Sequence, residues 1–344
     1  MTDAGVYVVL LNWNGWRDTI ACLESLFASR HPRLRVVVCD NASSDDSLEH
    51  IAAWAEGRQA AERPDHPRLA RLLRTEQVPV AFQRIDRCTA ESGTCKAAAP
   101  LVLIDNGANL GFAAGNNVGL RFALDQEDME YAWLLNNDTL VEPDCLRNML
   151  RCLASSPPRA VCGSMIHFFD QPEIIQAVGG NRFNRLTGCA ARSEGRFSHE
   201  RAALDINRIE SELAYLSGCS ILLPRDFLEH VGLMSEDYFL YYEEIDWFTR
   251  AAGRYTLRIA GDARLYHREG SSIGSRTLHR TASPLSDFHM FRSRLIFMRK
   301  YCQRFLALCY VDSWVEVAKR LMRGQYRNAW TVGTVLVNRH PLGS

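Results

Sequence analysis

Four short apolar runs, each stopping at asparagine or aspartate, constrain this chain more than any other feature. Residues 6–11 end in Asn12-Trp13-Asn14, and residues 35–39 end in Asp40-Asn41. Residues 101–104 end in Asp105-Asn106, and residues 131–135 end in Asn136-Asn137-Asp138. Continuous runs of this length, rich in β-branched residues, are those of strands buried on both faces. After the first, Ile20, Leu23, Leu26 and Phe27 recur at helical spacing; after the second, Ser43-Ser44-Asp45-Asp46 reads as the cap of a helix carrying Leu48 and Ile51. A βαβα beginning implies a parallel sheet with right-handed crossovers. Ligands of such a sheet bind beyond the carboxyl ends of its strands. Asparagine and aspartate are also ordinary turn residues. Their recurrence at four strand ends along one edge is what points to a site. No GxGxxG follows the first strand, which argues against a nicotinamide-binding variant.

The rest of the chain is less regular. Residues 58–100 are polar and punctuated by Pro64, Pro67, Pro79, Gly93 and Pro100, and read as a surface insertion. Pro143 opens a helix with Leu146, Met149, Leu150 and Leu153 on one face. Residues 160–215 mix short strands and loops, and residues 243–252 read as a helix. From Arg292 onward, helix formers alternate basic with apolar side chains, which predicts a helical region over residues 276–344 beside a main domain of residues 1–275.

At 344 residues and 47% apolar content, the chain has enough material for a large core. Lys+Arg and Asp+Glu are 40 each, so no global basic field points to nucleic acid. The start carries no secretory pattern, and no stretch has the roughly 18 apolar residues of a membrane span. Eleven cysteines without CxxC spacing favour a reducing cytoplasm. Cys88 and Cys95 bracket a polar loop, where a disulfide or metal is the minority reading.

Two acidic segments stand out. One is Asn136-Asn137-Asp138. The other is Glu243-Glu244-Ile245-Asp246, after the aromatic run Tyr238-Phe239-Leu240-Tyr241-Tyr242. Carboxylates this close raise one another's pKa, which suits a general base. Asp246 and Arg250 stand four apart and read as a helix ion pair. Two acidic sites, each at the end of an apolar run, suggest one metal-dependent cleft.

Taken in order, these segments resemble the family 2 glycosyltransferases of GT-A fold, especially the branch with bacterial rhamnosyltransferases. The resemblance rests on residues 8–14, residues 37–45, Asn109-Leu110-Gly111-Phe112-Ala113-Ala114-Gly115-Asn116-Asn117, residues 135–139, Gly218-Cys219-Ser220, residues 238–246 with Arg250, and His267 before Gly270-Ser271-Ser272. It implies an α/β chain with a mostly parallel, Rossmann-like nucleotide-binding sheet flanked by helices. It also implies inverting transfer of a sugar from a nucleoside diphosphate to an acceptor hydroxyl of a glycan or lipid-linked saccharide. Asp138, in the DxD-like position, and His267 would hold Mg²⁺ or Mn²⁺. Asp40 would read the N3–H of uracil or thymine. Asn12, Asn14, Asn41, Asn109, Gly111, Asn116, Asn137 and Asp138 would line the nucleotide, with Gly111 and Gly115 allowing close backbone approach. Glu244 would be the base and Glu243 would contact acceptor or donor sugar. Glu244 departs from the family's aspartate at that place. The branch leans to dTDP-L-rhamnose, with UDP-sugars as the alternative donors. Two other readings stay open: a hydrolase with paired carboxylates, and a non-catalytic nucleotide-sugar-binding subunit. The basic and apolar C-terminal helices allow peripheral membrane contact, with Arg292 and Arg294 at the phosphates or the surface, and the insertion shapes the acceptor cleft or mediates homo-oligomerisation.

Overall fold

The computed structural model describes residues 3–29, 31–76, 78–192, 204–268 and 281–337. Gly270-Ser271-Ser272 and the expected boundary at 275/276 lie outside the described residues.

The chain opens β1(Val6–Asn12), α1(Trp16–Ala28), β2(Leu34–Asp40), α2(Ser47–Ala55). The next elements are α3(Pro67–Ala70), β3(Phe82–Asp86), α4(Arg87–Ala90), β4(Leu101–Asp105), α5(Gly111–Leu124), β5(Tyr131–Asn136), β6(Thr139–Val141) and α6(Cys145–Ala154). The second half holds β7(Ala160–Phe168), β8(Ile175–Val178), β9(Gly180–Asn184), β10(Cys189–Arg192), α7(Ile206–Glu212), β11(Tyr215–Leu216), β12(Ser220–Pro224) and α8(Arg225–Val231). It closes with α9(Glu243–Ala251), β13(Thr256–His267), α10(Pro284–Tyr301), α11(Leu306–Met322) and α12(Tyr326–Val337).

The four sequence runs are β1, β2, β4 and β5, adjacent parallel strands of a ten-stranded sheet in the order β3-β4-β2-β1-β5-β12-β7-β13-β6, with β8 off β7. Strand β13 runs parallel to β7, whereas β12, β6 and β8 are antiparallel to their neighbours, so the sheet is mixed and mostly parallel. A separate three-stranded sheet, β10-β9-β11, lies beside it. Alternate side chains of β1 and β2 enter two apolar clusters, one on each face: Val9, Val37 and Cys39 on one, Val8, Val36 and Val38 on the other. Helix α5 presses close against this sheet. A Cβ at Gly119 would lie 2.7 Å from Val9 Cγ1, and one at Gly115 would lie 2.6 Å from Leu11 Cδ1. Gly115 therefore serves helix–sheet packing, not the ligand approach expected of it.

Two sequence expectations change. Within residues 58–100, β3 pairs in parallel with β4 as the sheet's outer strand, and Leu69, Leu72 and Leu73 bury against Leu140 and Tyr266. The stretch therefore contributes to the central fold. Its strand escaped notice because an edge strand is only half covered and needs no continuous apolar run. Helix α2 begins after Asp46 in the left-handed region, with no side-chain cap bond, so the expected Ser/Asp cap is not formed. Within the helical region expected over residues 276–344, α10 begins at Pro284: Ser283 caps it by accepting from Ser286 N, with Pro284 in the first turn. Phe291, Leu295 and Phe297 of α10, Cys309 and Val317 of α11 and Val332 of α12 join the apolar cluster that contains α5 and α9. All eleven cysteines, Cys88 and Cys95 among them, are free thiols.

Candidate active site

Strand register brings the polar ends together. Asn12 stands opposite Asp40, Asp40 opposite Asp105, and Leu11 opposite Asn136. On the far side, β13 pairs with β6 so that His267 faces Thr139, one residue from Asp138. His267 Nε2 lies 3.2 Å from Asp138 Oδ1. Gln176 Oε1 contacts the other ring nitrogen at 3.0 Å, and Asn136 Nδ2 lies 3.4 Å from Nε2. Burial works against the imidazolium, yet Cys219 and Asp138 beside the ring lift the His267 pKa well above its ordinary value.

The donor pair, one carboxylate and one imidazole, suits a hard-to-borderline divalent cation. Two ligands about 2.1 Å from one ion at right angles stand about 3 Å apart, the spacing of Asp138 and His267. No group of three or more His, Cys, Asp or Glu side chains gathers around a metal-sized space among the described residues. A cation held here therefore needs further oxygens from a ligand.

Asp40 is the centre of a buried polar net. Asn12 Nδ2 donates to its Oδ1 (2.6 Å), Ser43 Oγ to Oδ1 (2.6 Å) and Ser43 N to Oδ2 (2.9 Å). Thr19 Oγ1 donates to Asn12 Oδ1 (2.8 Å), and Asn137 Nδ2 donates to Thr19 Oγ1 (2.9 Å). Asn14, at φ 51°, accepts from Ser44 N at 2.7 Å and so ties the first strand end to the second. Asn41 Nδ2 donates to Gly111 O (3.0 Å) and receives Asn106 on its oxygen (2.8 Å). Asn109 Oδ1 accepts from Gly111 N (3.1 Å). Asn116 is buried and donates back to Phe112 O of its own helix. At Gly111, φ is +78° and a Cβ would lie 2.3 Å from Phe239 O. Glycine there admits the loop before α9, which locks on through Phe112 N to Phe239 O (2.7 Å).

That loop delivers the acids. Tyr241 and Tyr242 take consecutive left-handed conformations, φ 66° and 73°, at a cost of about 1–2 kcal/mol each. Their hydroxyls are fixed by Ser286 (2.8 Å) and Gly188 O (2.5 Å). Both acids then open α9. Glu244 Oε1 accepts from Gly218 N at 3.0 Å. Glu243 is 2% exposed, and its Oε2 has no hydrogen-bond partner. Burial, then the charge of Glu244, push the Glu243 carboxyl well above the usual carboxylate range. Burial also raises Glu244, opposed by backbone N–H groups including that of Gly218. Both carboxyls are thus raised by burial, and Glu244 is the one whose ionised form the Gly218 N–H supports.

Gly218 and Cys219 join the two centres. Gly218 holds Glu244, and the next residue, Cys219, sits against His267. Consecutive Cα atoms are about 3.8 Å apart, so the carboxylate and the Asp138–His267 pair flank one short turn. Asp246 anchors the helix from behind. It is fully buried and accepts from Arg250 (2.8 Å), Lys300 (2.9 Å), Tyr301 (3.0 Å) and Tyr238 (3.1 Å). The expected ion pair with Arg250 is present within this larger cluster. Of the two places expected for Arg294, the surface is excluded: it is buried against Thr187 O and Asp312, while Arg292 reaches Asp237 O. A cavity of 460 Å³ extends from His267 and Cys219 past Tyr242 and Arg294 to Arg320. Sequence reading missed Gln176, Thr19 and Ser43. Gln176 gives no signal, lying in an irregular stretch, whereas Thr19 and Ser43 follow strand ends and could have been drawn from that position.

Residues 94–232 match the family model described as glycosyl transferase family 2, a span that ends before α9. Over 148 residues the chain is 24% identical to the low-salt glycan biosynthesis hexosyltransferase Agl10 of Haloferax volcanii. That match takes in 43% of this chain and 45% of the relative, so the chain spans less than half the length of the curated protein. The mannosyltransferase PcManGT from Pyrobaculum calidifontis, in complex with GDP-Man and Mn²⁺, superposes with a TM-score of 0.51 at 16% identity, covering 99% of this chain and 82% of that one. GalNAc-T7 with UDP, GalNAc and Mn²⁺ gives 0.58 at 13% identity, covering 91% and 51%. At these identities the likeness is one of fold: the chain has the GT-A α/β architecture of these glycosyltransferases, and its residues 94–232 carry the glycosyl transferase family 2 match.

Proposed function

We propose that this chain is an inverting glycosyltransferase that moves a sugar from a nucleoside diphosphate to an acceptor hydroxyl of a glycan or lipid-linked saccharide. The observation that carries the reading is the turn at Gly218-Cys219, which sets a raised carboxyl, Glu244, beside the Asp138–His267 pair. A glycosyl transfer with inversion needs this pairing: a base for the incoming hydroxyl and a counter-charge for the departing diphosphate.

Asp138 and His267 would hold Mg²⁺ or Mn²⁺, and the Mn²⁺ in the PcManGT and GalNAc-T7 complexes supports that class of ion. When bound, the cation supplies positive charge against the diphosphate oxygens. The strand-end net of Asn12, Asp40, Ser43 and Asn137 forms the floor of the nucleotide site. Asp40, an acceptor-only group, would accept the N3–H of uracil or thymine. Glu244 takes the proton of the acceptor hydroxyl, and the oxygen attacks the anomeric carbon on the face opposite the leaving group. Glu243, one residue away, contacts donor or acceptor sugar. The donor is dTDP-L-rhamnose in this reading, and the reaction is placed in the cytoplasm. A UDP-sugar-dependent transferase of the same fold is the second reading, supported by the UDP of GalNAc-T7.

The test is calorimetric titration with dTDP, UDP, GDP and NADH, each with and without Mn²⁺. Metal-dependent binding of a pyrimidine diphosphate without NADH binding is expected. Absence of any pyrimidine diphosphate binding would overturn the roles of Asp40, Asp138 and His267 together. Tight nucleotide-sugar binding without turnover on any acceptor would instead favour a non-catalytic binding subunit.

A further inference from the structure

Helices α11 and α12 form a hairpin joined by residues 323–325. Its inner side completes the core with Cys309, Val317, Val332 and Val335. Its outer side is also apolar. Val311, Trp314 and Val315 on α11, and Tyr326, Trp330 and Val337 on α12, are exposed, Trp330 at 76%. Steps of three, four and seven residues place each set along one face of its helix. A groove of 540 Å³ lies between them, floored by Val317, Ala329 and Gly333. Monomeric soluble domains rarely leave a continuous apolar face of this kind uncovered.

The charges around the groove are one-sided. Arg323 and Arg327, at the hairpin turn, are exposed and make no ion pair among the described residues. Lys319 and Arg320 are instead taken by Glu316 and Asp287. The hairpin's own acids, Asp312 and Glu316, pair with Arg294, Lys319 and Arg320. The outer face is therefore aromatic, aliphatic and cationic with no free carboxylate. Tryptophan, tyrosine and arginine around an aliphatic stripe is the composition that lies in the headgroup layer of a bilayer.

We infer that the outer face of the α11–α12 hairpin docks on an anionic lipid bilayer. Charge separates this occupant from a second copy of the chain, which would bring the same uncompensated arginines, whereas anionic headgroups neutralise them. No helix among the described residues is long and apolar enough to cross a membrane, so the contact is with one leaflet. The opposite side of α11 supplies Glu316 and Arg320 to the wall of the 460 Å³ cavity that reaches His267. A bilayer on the outer face lies about one helix diameter, roughly 10 Å, from that cavity. The surface stands independently of the transferase reading.

The experiment is co-sedimentation of the full chain with phosphatidylcholine vesicles, with and without phosphatidylglycerol, at low and high salt. Sedimentation velocity over a range of concentrations is run alongside. Binding to the anionic vesicles is expected, with partitioning reduced about 25-fold in Arg323→Gln/Arg327→Gln, about fivefold for each charge removed. Trp314→Glu/Trp330→Glu should also abolish binding, with nucleotide diphosphate affinity and Tm unchanged because both side chains are exposed. Absence of binding to anionic vesicles, or binding indifferent to both double variants, would overturn the inference. Self-association that Trp314→Glu/Trp330→Glu removes, without vesicle binding, would overturn it in favour of a second copy.

Discussion

At the scale of single residues, the site depends on two adjacent acids in different environments. Glu244 has a backbone N–H from Gly218 on one oxygen, whereas Glu243 keeps an oxygen without a partner. Replacing Glu244 by Gln removes the base while keeping the shape. The expected outcome is a 10²–10⁴-fold loss of kcat, roughly the contribution of one positioned base, with nucleotide diphosphate affinity unchanged by calorimetry. Wild-type turnover in that variant would exclude Glu244 as base. Because burial raises Glu244, kcat/KM should fall as pH drops through a pKa above the ordinary glutamate range. The stability effect of Glu243 follows from linkage. A raised native pKa means the folded chain holds the proton where the unfolded chain has released it, so this carboxyl lowers stability as pH rises above its unfolded pKa. Glu243→Gln should therefore raise Tm at pH 7 and leave it nearly unchanged at pH 4. A Tm lowered equally at both pH values would show that the carboxyl is needed for packing.

At the scale of elements, α9 is aimed by what it packs against. Asp246 joins α9 to α10 through Lys300 and Tyr301 and to the preceding loop through Tyr238. Asp246→Ala leaves Lys300 and Arg250 without their buried partner and should cost about 3–5 kcal/mol, read by denaturant unfolding. Helix α5 illustrates how local chemistry and packing divide the work. Its glycines were visible in sequence as a site signature, but Gly115 and Gly119 face Leu11, Asn41, Val9 and Cys39. Gly119→Ala forces a methyl to 2.7 Å from Val9 Cγ1 and should destabilise by about 1–3 kcal/mol despite its better helix propensity. A stabilised variant would show that α5 can retreat from the sheet.

At the scale of the whole molecule, the site is assembled from distant parts of the chain. Asn12 and Asp40 come from the first two strands, Asp138 from the turn after the fifth, Glu244 from α9 and His267 from the last strand. Removing divalent cations with a chelator should weaken nucleotide diphosphate binding and leave Tm unchanged without nucleotide, since two side chains alone hold the ion weakly. A large fall in Tm on chelation would mark the metal as structural. The C-terminal helices share the core of the main domain. Deleting residues 306–337 takes Arg320 from Asp287 and the Phe291 ring and Asp312 from buried Arg294, and should abolish cooperative unfolding, as read by circular dichroism.

Much of the architecture was legible in the sequence because buried parallel strands need unbroken apolar runs, and β1, β2, β4 and β5 have them. Their polar ends were legible for the same reason: each run must stop where the strand meets solvent. The edge strand β3 was not, since a half-covered strand carries a mixed sequence. Pairing in space was beyond the sequence as well. Nothing in the order of residues places Gln176 on His267, Gly218 on Glu244 or Lys300 on Asp246. Each of those contacts spans long sequence separation and uses one hydrogen bond, which leaves no periodic trace. The sequence by itself determined the strands, where they end and which acids are available. The tertiary structure alone decided which acid keeps a buried oxygen without a partner and which is held by the Gly218 N–H, because solvent exclusion and charge proximity exist only once the chain has closed around them.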